Sequence, residues 1–570
     1  ARMFWNCQLL EIGADSNSSS YVSQNNTTGY HSDNDFSQVS DISYMFYNCT
    51  SLGLQDNSFS HWNVSNITSC NSLFRNCTNL ANNTNFSIDN WNLNNCTNCD
   101  YMFSNSFENA SGNTSITGWT IGNSDIGVSC INMFFNENTG INLTNNSLNN
   151  ITIYNPTSFT KTFRDCYALN YIPNVVFTYA SLTSTENMFL NNYYLGDELD
   201  IDLSHWNMSS VETTRNMFYN CYRLGNNANV TLNNWDLSNC TTSDTMFFRV
   251  SYDGTSIIYD TSVAGTFSAT NWTIGNKLIT TNLNSMFYQN VTPNWDVSNW
   301  TITNSTDFGD IFHSNNNFTG KGINSWTILL LDNSGNSVSE LLDSSGQIVT
   351  GTMDYMFYNC YYFGYEENMN LSSWNVSNIT DCTEMFSNNY RLGYSADFII
   401  DGWNLSNCTS CIKMFFNISY GLTDEYVQGT THQISNLTIG NNNITTSLSL
   451  CFKNNYIPNW NINYWTITNC TDFNQMFQSN EYFNGDISTW NIINTGVECD
   501  MSFMFRYCKY EFGKNNDIDI SHWDVSNATD IGYMFSDTYN LGNDSNFTID
   551  GWNLPKCADI KSLFGNSFGA

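Results

Sequence analysis

A tryptophan recurs along this chain at a constant distance before a methionine–phenylalanine pair, and this repeat restricts the possible folds more than any other feature. Eleven residues separate Trp91 from Met102, and the same spacing separates Trp403 from Met414. An apolar pattern that returns at a fixed period is typical of solenoids, in which each unit packs only on its neighbours. We therefore predict one continuous solenoid over residues 1–570, without separate globular domains.

The methionine position returns most often after 29 residues, and most intervals lie between 25 and 31 residues, which gives about 19 units. Longer blocks also repeat, near residues 45–200, 201–355, 356–503 and 504–570. A few longer intervals indicate inserted residues, which in solenoids usually form loops on one face. These insertions fall near residues 8–40, 250–268, 328–350 and 420–432.

Within a unit, residues 86–93 alternate apolar and polar side chains, which predicts a short strand with one face in the core. Such strands would stack in parallel from unit to unit. The segment around Met-Phe could form a short helix or a second extended side. We expect the tryptophan and Met-Phe positions to form a continuous core, because burying each such side chain contributes about 1.5 to 3 kcal/mol.

The composition limits the partners of the chain. The net charge is −34 with only 17 basic residues, which argues against nucleic acid and against anionic membrane surfaces. No run approaches the roughly 20 apolar residues that a membrane helix needs. The chain starts inside a repeat, at Met3-Phe4-Trp5, so we expect a processed product or a fragment.

The 19 cysteines fall at two main positions of the repeat. Residues at equal positions of neighbouring units stack roughly 4.8 Å apart, a spacing that a disulfide allows. Buried free thiols that pack as small hydrophobic groups are the alternative. The disulfide candidates are Cys49, Cys70, Cys77, Cys99, Cys130, Cys382 and Cys411.

The run "SHWNVSNITSCNSLFRNCTNL" (60–80), with "SSWNVSNITDCTEMFSNN" and "SHWDVSNATDIGYMFSD", resembles the BspA-like leucine-rich-repeat surface proteins. Their repeat has the core Leu-x-x-Trp-Asp-x-Ser-x-Val-Thr-x-Met-x-x-Met-Phe-x-x-Cys. The resemblance covers nearly the whole chain except the insertions. It implies an exported, cell-surface, leucine-rich-repeat-like solenoid, a right-handed coil of stacked short parallel strands, in a family often linked to adhesion. The present units are longer and richer in cysteine.

No catalytic constellation is present, and we do not expect an enzyme. The pairs Cys96/Cys99 and Cys408/Cys411 lack the four converging ligands of a zinc site, and we interpret them as structural. His61, His205 and His522 occupy one repeat position without nucleophilic partners. We expect no cofactor; Asp197–Asp202 could bind Ca²⁺ but lacks the glycine-bearing loop of a dedicated site.

Many Asn-x-Ser/Thr sequons are the strongest functional hint, since each is a glycan acceptor in a secreted protein. A chain this rich in Asn, Ser and Thr also forms sequons by chance. We nevertheless expect several to be occupied, because a surface with few charges needs another source of solubility. The candidates are Asn63, Asn66, Asn82, Asn85, Asn207, Asn229, Asn375, Asn378, Asn404 and Asn546.

Neither end of the sequence resembles a polar cap, although solenoids normally need one. Either the chain is a piece of a longer array, or copies stack head to tail into an open filament. The first hypothesis is therefore an extracellular, glycosylated, structural protein that forms a fibre. The second is a cell-surface adhesin that binds host or matrix glycans or proteins through its loops or through tyrosines such as Tyr193-Tyr194 and Tyr361-Tyr362. The interface candidates are Met3, Phe4, Trp5, Leu563, Phe564 and Phe568.

Overall fold

Short parallel strands of two or three residues, joined by turns, form the regular structure of this protein. The computed structural model describes residues 38–52, 57–60, 62–82, 85–110, 114–136, 151–251, 265–290, 294–365, 367–393, 396–418, 432–455, 460–514, 517–543 and 545–567. The chain divides into two compact units, Ala1–Ser268 and Ala269–Ala570. Each unit is a parallel β-solenoid, which confirms the predicted fold class.

Each coil can contribute a strand before its tryptophan, a strand after it and a strand before its methionine position. In unit 1, Asn92 pairs with Thr120 and Leu93 with Ile121, one coil further on. The unit 1 strands are Asn57–Ser58, Phe86–Ser87, Asn92–Leu93, Thr114–Ser115, Thr120–Ile121, Val128–Ser129, Thr152–Tyr154, Pro156–Ser158, Asn174–Val176, Ile201–Asp202, Val230–Thr231, Asp236–Leu237 and Phe267–Ser268.

Unit 2 repeats the arrangement, with Thr301 paired to Thr327 and Ile302 to Ile328. One short 3₁₀ helix, Ile323–Ser325, lies among its described residues. The unit 2 strands are Thr273–Ile274, Trp295–Asp296, Thr301–Thr303, Thr327–Leu329, Gly351–Thr352, Met369–Asn370, Ile379–Asp381, Phe398–Ile399, Asn404–Leu405, His432–Gln433, Thr438–Ile439, Thr446–Ser447, Trp460–Asn461, Thr466–Thr468, Cys470–Asp472, Asn491–Ile493, Cys499–Asp500, Ile518–Asp519, Ala528–Asp530 and Phe547–Thr548.

The phenylalanine of each Met-Phe pair forms a ladder of stacked rings through the core. In unit 1 the ladder runs from Phe46 to Phe247, with consecutive ring centroids 5.3 to 5.6 Å apart. In unit 2 it runs from Phe287 to Phe564, at 4.8 to 5.6 Å. The predicted continuous core is therefore present in both units.

The tryptophans form a second ladder, and several of the indoles are also anchored by a hydrogen bond. The rings of Trp272, Trp300 and Trp326 stack with centroids 4.8 Å apart. The Nε1 of Trp235 donates to the carbonyl oxygen of Leu203, one coil earlier, over 2.9 Å, and Trp403 donates in the same way to Leu371. The indole thus contributes buried area and also satisfies a backbone acceptor that would otherwise be buried without a partner.

The Met-Phe segment is neither the short helix nor the extended side that the sequence left open. It is a series of overlapping turns. The residue one before the methionine position and the residue three after it have left-handed φ angles of 51 to 65°, and this conformation prevents a continuous helix or strand. Amide hydrogens then bond alternately within the coil and to the next coil. Tyr219 N donates to Asn216 O, for example, whereas Asn220 N donates to Phe248 O.

Asparagine is the commonest residue three positions after the methionine position, for two physical reasons. Asn tolerates the left-handed conformation better than other residues with a side chain. Its amide also forms a ladder between coils: Nδ2 of Asn220 donates to Oδ1 of Asn191 over 2.9 Å, and Asn417 donates to Asn388 over 2.9 Å. This ladder accounts for the recurring Asn-Cys dipeptide.

The insertion near 328–350 consists of two short hairpins, in which Leu331 bridges Ser337 and Leu342 bridges Ile348 in antiparallel fashion. Most of the insertions near 8–40, 250–268 and 420–432 lies outside the described residues. Among the helices that the structure describes, none has the length and apolar character required to cross a bilayer.

Candidate functional site

The cysteines four residues after the methionine position are hydrogen-bond donors between coils. The thiol of Cys221 donates to the carbonyl oxygen of Phe189 over 3.2 Å, and the thiol of Cys77 donates to Phe46 over 2.9 Å. Ser106 takes the same place in its coil, with its hydroxyl 2.6 Å from the carbonyl of Phe74. Because complete burial raises the pKa of the Cys221 thiol, such cysteines are unreactive.

The predicted disulfides are not formed among the described residues, whose cysteines are all free thiols. Cys77, a candidate for pairing with Cys49, uses its sulfur on a carbonyl oxygen instead. Close sulfur–sulfur contacts lie within the Cys-x-x-Cys segments, at 3.4 Å between Cys96 and Cys99 and 3.5 Å between Cys408 and Cys411. The free-thiol alternative therefore describes these cysteines in this structure.

Cys70, Cys96 and Cys99 form a cluster of three fully buried thiols whose sulfur atoms all lie within 4.8 Å of one another. The Sγ atoms of Cys70 and Cys96 are 3.7 Å apart. Hydrogen bonds from Cys70 and Cys99 lower the pKa of the Cys96 thiol to about 4. The same contacts raise the pKa values of Cys70 and Cys99, so Cys96 is the sulfur that most readily becomes a thiolate.

A second, less compact thiol cluster lies at the equivalent place in unit 2. The Sγ atoms of Cys408 and Cys411 are 3.5 Å apart, and Cys382 lowers the pKa of the Cys408 thiol, but the three sulfur atoms do not all lie within 4.8 Å of one another. All three of these cysteines are fully buried. Each is 312 positions after its counterpart in the first cluster. The Cys-x-x-Cys pairs are recognisable in the sequence, whereas the third thiol of each cluster comes from the preceding coil and joins the pair only after stacking.

The corresponding place in residues 214–243 carries hydroxyl groups. There, Thr214 Oγ1 donates to Ser243 Oγ over 2.8 Å, and Cys240 Sγ lies 3.4 Å from the same oxygen. All three side chains are buried. The same backbone therefore accepts either three thiols or one thiol with two hydroxyls.

Most of the sequon asparagines lie on the surface. Asn63, Asn66, Asn85, Asn229, Asn404 and Asn546 are exposed, whereas Asn82, Asn207 and Asn375 are half-buried. Asn378 is 3% exposed, and its Nδ2 donates to the carbonyl oxygens of Leu341 and Val349. Its side-chain nitrogen has no room for a sugar in this structure, so Asn378 is removed from the set of predicted acceptors.

The tyrosine pair and the acidic segment that the sequence indicated as candidate binding sites mainly contact residues of neighbouring coils. Tyr193 stacks between Tyr167 and Tyr222, with centroids 4.8 and 4.9 Å away, and its neighbour Tyr194 is 50% exposed. The carboxylate of Asp197 accepts a hydrogen bond from Asn226, and that of Asp200 accepts one from Asn229 N. These acidic residues do not form a metal-ligand group in the described part of the chain.

The remaining aromatic and histidine candidates are placed as follows. Tyr361 and Tyr362 are half-buried and contact each other edge to face, 5.0 Å apart. His205 and His522 are exposed, and His522 Nε2 hydrogen-bonds to the carbonyl oxygen of Trp490. His61 lies outside the described residues.

The last described coil exposes side chains that are buried elsewhere. Ile560 is 62% exposed, whereas Ile531, at the same position one coil earlier, is fully buried. Trp552 and the interface candidates Leu563 and Phe564 are half-buried. The other four candidates, Met3, Phe4, Trp5 and Phe568, lie outside the described residues.

Five stretches of the chain match one family model, described as "Mycoplasma protein of unknown function, DUF285". The matched residues are 16–139, 128–257, 268–348, 336–443 and 446–569. No curated protein and no solved structure matches the chain.

Proposed function

Because the chain belongs to the DUF285 family, whose function is unknown, we propose from its geometry that it is a non-catalytic structural protein of the cell exterior. Its coils stack end to end on those of a second copy and extend the solenoid. The observation that carries this proposal is the exposed apolar edge of the last described coil. Ile560 is 62% exposed there, and Trp552 and Leu554 are half-buried.

This edge has the same composition as the internal faces between coils. Trp523, Val525 and Ile531 occupy the equivalent positions one coil earlier, and each is at most 3% exposed because another coil covers it. A second coil of the same repeat is therefore the partner whose shape and ladder spacing fit the edge. Stacking would remove the exposed side chains from water at about 25 cal/mol per Å² of apolar surface.

Replacing Ile560 by lysine should weaken this association about tenfold or more, because the joint would then bury an ammonium group without a partner. Leu278→Lys is the matched control, since Leu278 is 72% exposed on a turn away from the last coil. Sedimentation velocity over a concentration series, with electron microscopy of the same samples, measures the association. Circular dichroism shows whether both variants remain folded.

Wild-type protein that stays monomeric at high concentration would contradict the end-to-end proposal. Equal weakening by Ile560→Lys and Leu278→Lys would also contradict it, because the effect would then come from added charge alone. Further coils of the same chain are the other possible occupant of the edge. In that case the full-length protein would bury Ile560 and stay monomeric.

The second part of the proposal is that the surface carries N-glycans, in line with a BspA-like protein exported to the cell surface. Only 12% of the residues are charged, and six of the ten candidate asparagines are exposed. Glycans on these positions would supply the solubility that charges supply in other proteins.

Glycopeptide mapping of protein purified from its source should find glycans at exposed positions such as Asn404 and Asn546, and none at Asn378. Asn375 and Asn378 lie three residues apart, so one peptide carries both a half-buried and a buried sequon and serves as an internal control. The intact mass before and after enzymatic deglycosylation gives the total mass of glycan on the protein. Unmodified asparagines at all the exposed sequons would contradict this part of the proposal.

A further inference from the structure

The three thiols of Cys70, Cys96 and Cys99 lie in the arrangement of a three-coordinate metal site. Their sulfur atoms are within 4.8 Å of one another, and Cys96 Sγ lies 3.7 Å from Cys70 Sγ and 3.4 Å from Cys99 Sγ. Three sulfurs bound to one metal ion at about 2.3 Å lie roughly 4 Å apart, so little movement is needed. We propose that this cluster binds one Cu(I) ion. Its counterpart Cys382/Cys408/Cys411, in which the sulfur atoms of Cys408 and Cys411 are 3.5 Å apart, binds a second ion after a larger movement of its sulfur atoms.

The ligand set selects the metal. Thiolates are soft ligands that favour Cu(I), zinc and iron–sulfur clusters. A structural zinc site is almost always tetrahedral, and in the described part of the chain no fourth His, Cys, Asp or Glu belongs to this group. Copper(I) is a singly charged, soft ion that three sulfurs can hold.

The buried thiols of this cluster lie close to the protein surface. Cys96 directly follows the surface turn at Asn94 and Asn95, and both Asn95 and Thr97, which lies between the two cysteines, are exposed. Their sulfur atoms point inward from that turn and are 0% exposed. Opening of one turn would admit the ion. Each protonated thiol that binds copper as a thiolate loses its proton, which leaves to solvent.

Residues 214–243 of the same chain provide the template for a matched variant. At the equivalent place in residues 214–243, Thr214 and Ser243 occupy the positions that Cys70 and Cys99 occupy in the first cluster, and Ser243 contacts both Thr214 and Cys240 there. The double substitution Cys70→Thr/Cys99→Ser copies that arrangement. Cys382→Thr/Cys411→Ser does the same in unit 2. Both variants keep the thiol at the Cys96 or Cys408 position.

The experiment titrates the reduced full-length chain, without oxygen, against Cu(I) held by a coloured chelator, and measures the copper transferred. Wild-type protein should take two tightly bound ions, each double variant one, and the quadruple variant none. Cys221→Ser and Cys77→Ser are controls that should keep both ions, since a serine already fills that position at Ser106. X-ray absorption of the loaded protein should show three sulfur neighbours around copper.

Equal copper uptake by the wild type and the quadruple variant would overturn the proposal, because binding would then not involve the clusters. Tight binding of Zn(II) by the clusters in preference to Cu(I) would also overturn it. So would a disulfide between Cys96 and Cys99 in protein isolated from its source, since a disulfide offers no thiolate to the metal. Circular dichroism of every variant shows that lost binding does not reflect unfolding.

Discussion

Replacing Phe218 by alanine should lower the free energy of unfolding of unit 1 by about 3 to 5 kcal/mol. The ring is fully buried and stacks on Phe189 and Phe247, with centroids 5.4 and 5.3 Å away. The substitution removes both contacts and leaves a cavity in the middle of the ladder. Neighbouring coils cannot close that cavity, because the hydrogen bonds between coils keep their spacing constant.

The measurement is urea unfolding followed by tryptophan fluorescence, with hydrogen exchange to locate the change. In a repeat array each coil interacts mainly with its neighbours, so exchange should increase first in the coils around residue 218. Phe248→Ala is the control: that ring is half-buried and stacks on Tyr219 at 4.5 Å. Its loss should cost about 1 kcal/mol. Equal losses in the two variants would contradict the ladder as the main source of stability.

The ladders could be predicted because period and burial follow directly from the sequence. Trp91, Met102 and Phe103 recur at constant spacing, and only a stacked core places such residues on each other. The turns could not be predicted in the same way. Their left-handed residues include Tyr101 as well as Asn105, and the conformation of Tyr101 follows from hydrogen bonds to the next coil rather than from its own preference.

At the candidate site, the contacts of the cysteines could likewise be predicted only in part. Their repeat positions were visible in the sequence, but the partner of each thiol was not. Cys77 bonds to a carbonyl oxygen 31 residues earlier, whereas Cys70 meets a thiol 26 residues later. Both side chains are fully buried, so burial alone does not decide which of these contacts occurs. Sequence spacing gives the coil and the position, and only the folded backbone gives the direction of the side chain.

Lowering the pH from 7 to 5 should destabilise unit 2 through His432, by about 2 kcal/mol relative to a His432→Phe variant. His432 is 1% exposed and occupies a position in a column of aromatic residues, paired in register with Phe398 and Trp460. Burial lowers the pKa of its imidazole to about 4, and the nearby Asp397 only partly opposes this.

The unfolded chain binds the proton with a pKa near 6.5, so His432 contributes fully to stability above that pH. The contribution falls between pH 6.5 and 4 and is constant below. His313, whose pKa is also lowered to about 4 by burial, acts in the same direction. Asp310 opposes both, because burial raises its pKa to about 6.

The difference between the wild type and His432→Phe isolates the effect of one imidazole, because His313 and Asp310 are present in both proteins. Urea unfolding at pH 7, 6 and 5 gives this difference, and hydrogen exchange at residues 398–399 and 432–433 assigns it to the strands that pack against the ring. His205→Asn is the control, since His205 is exposed and its replacement should leave the pH profile unchanged. If the wild type and His432→Phe lose stability in parallel as the pH falls, the imidazole has the same pKa in the folded coil as in the unfolded chain, and its place among the aromatic rings cannot be the one described.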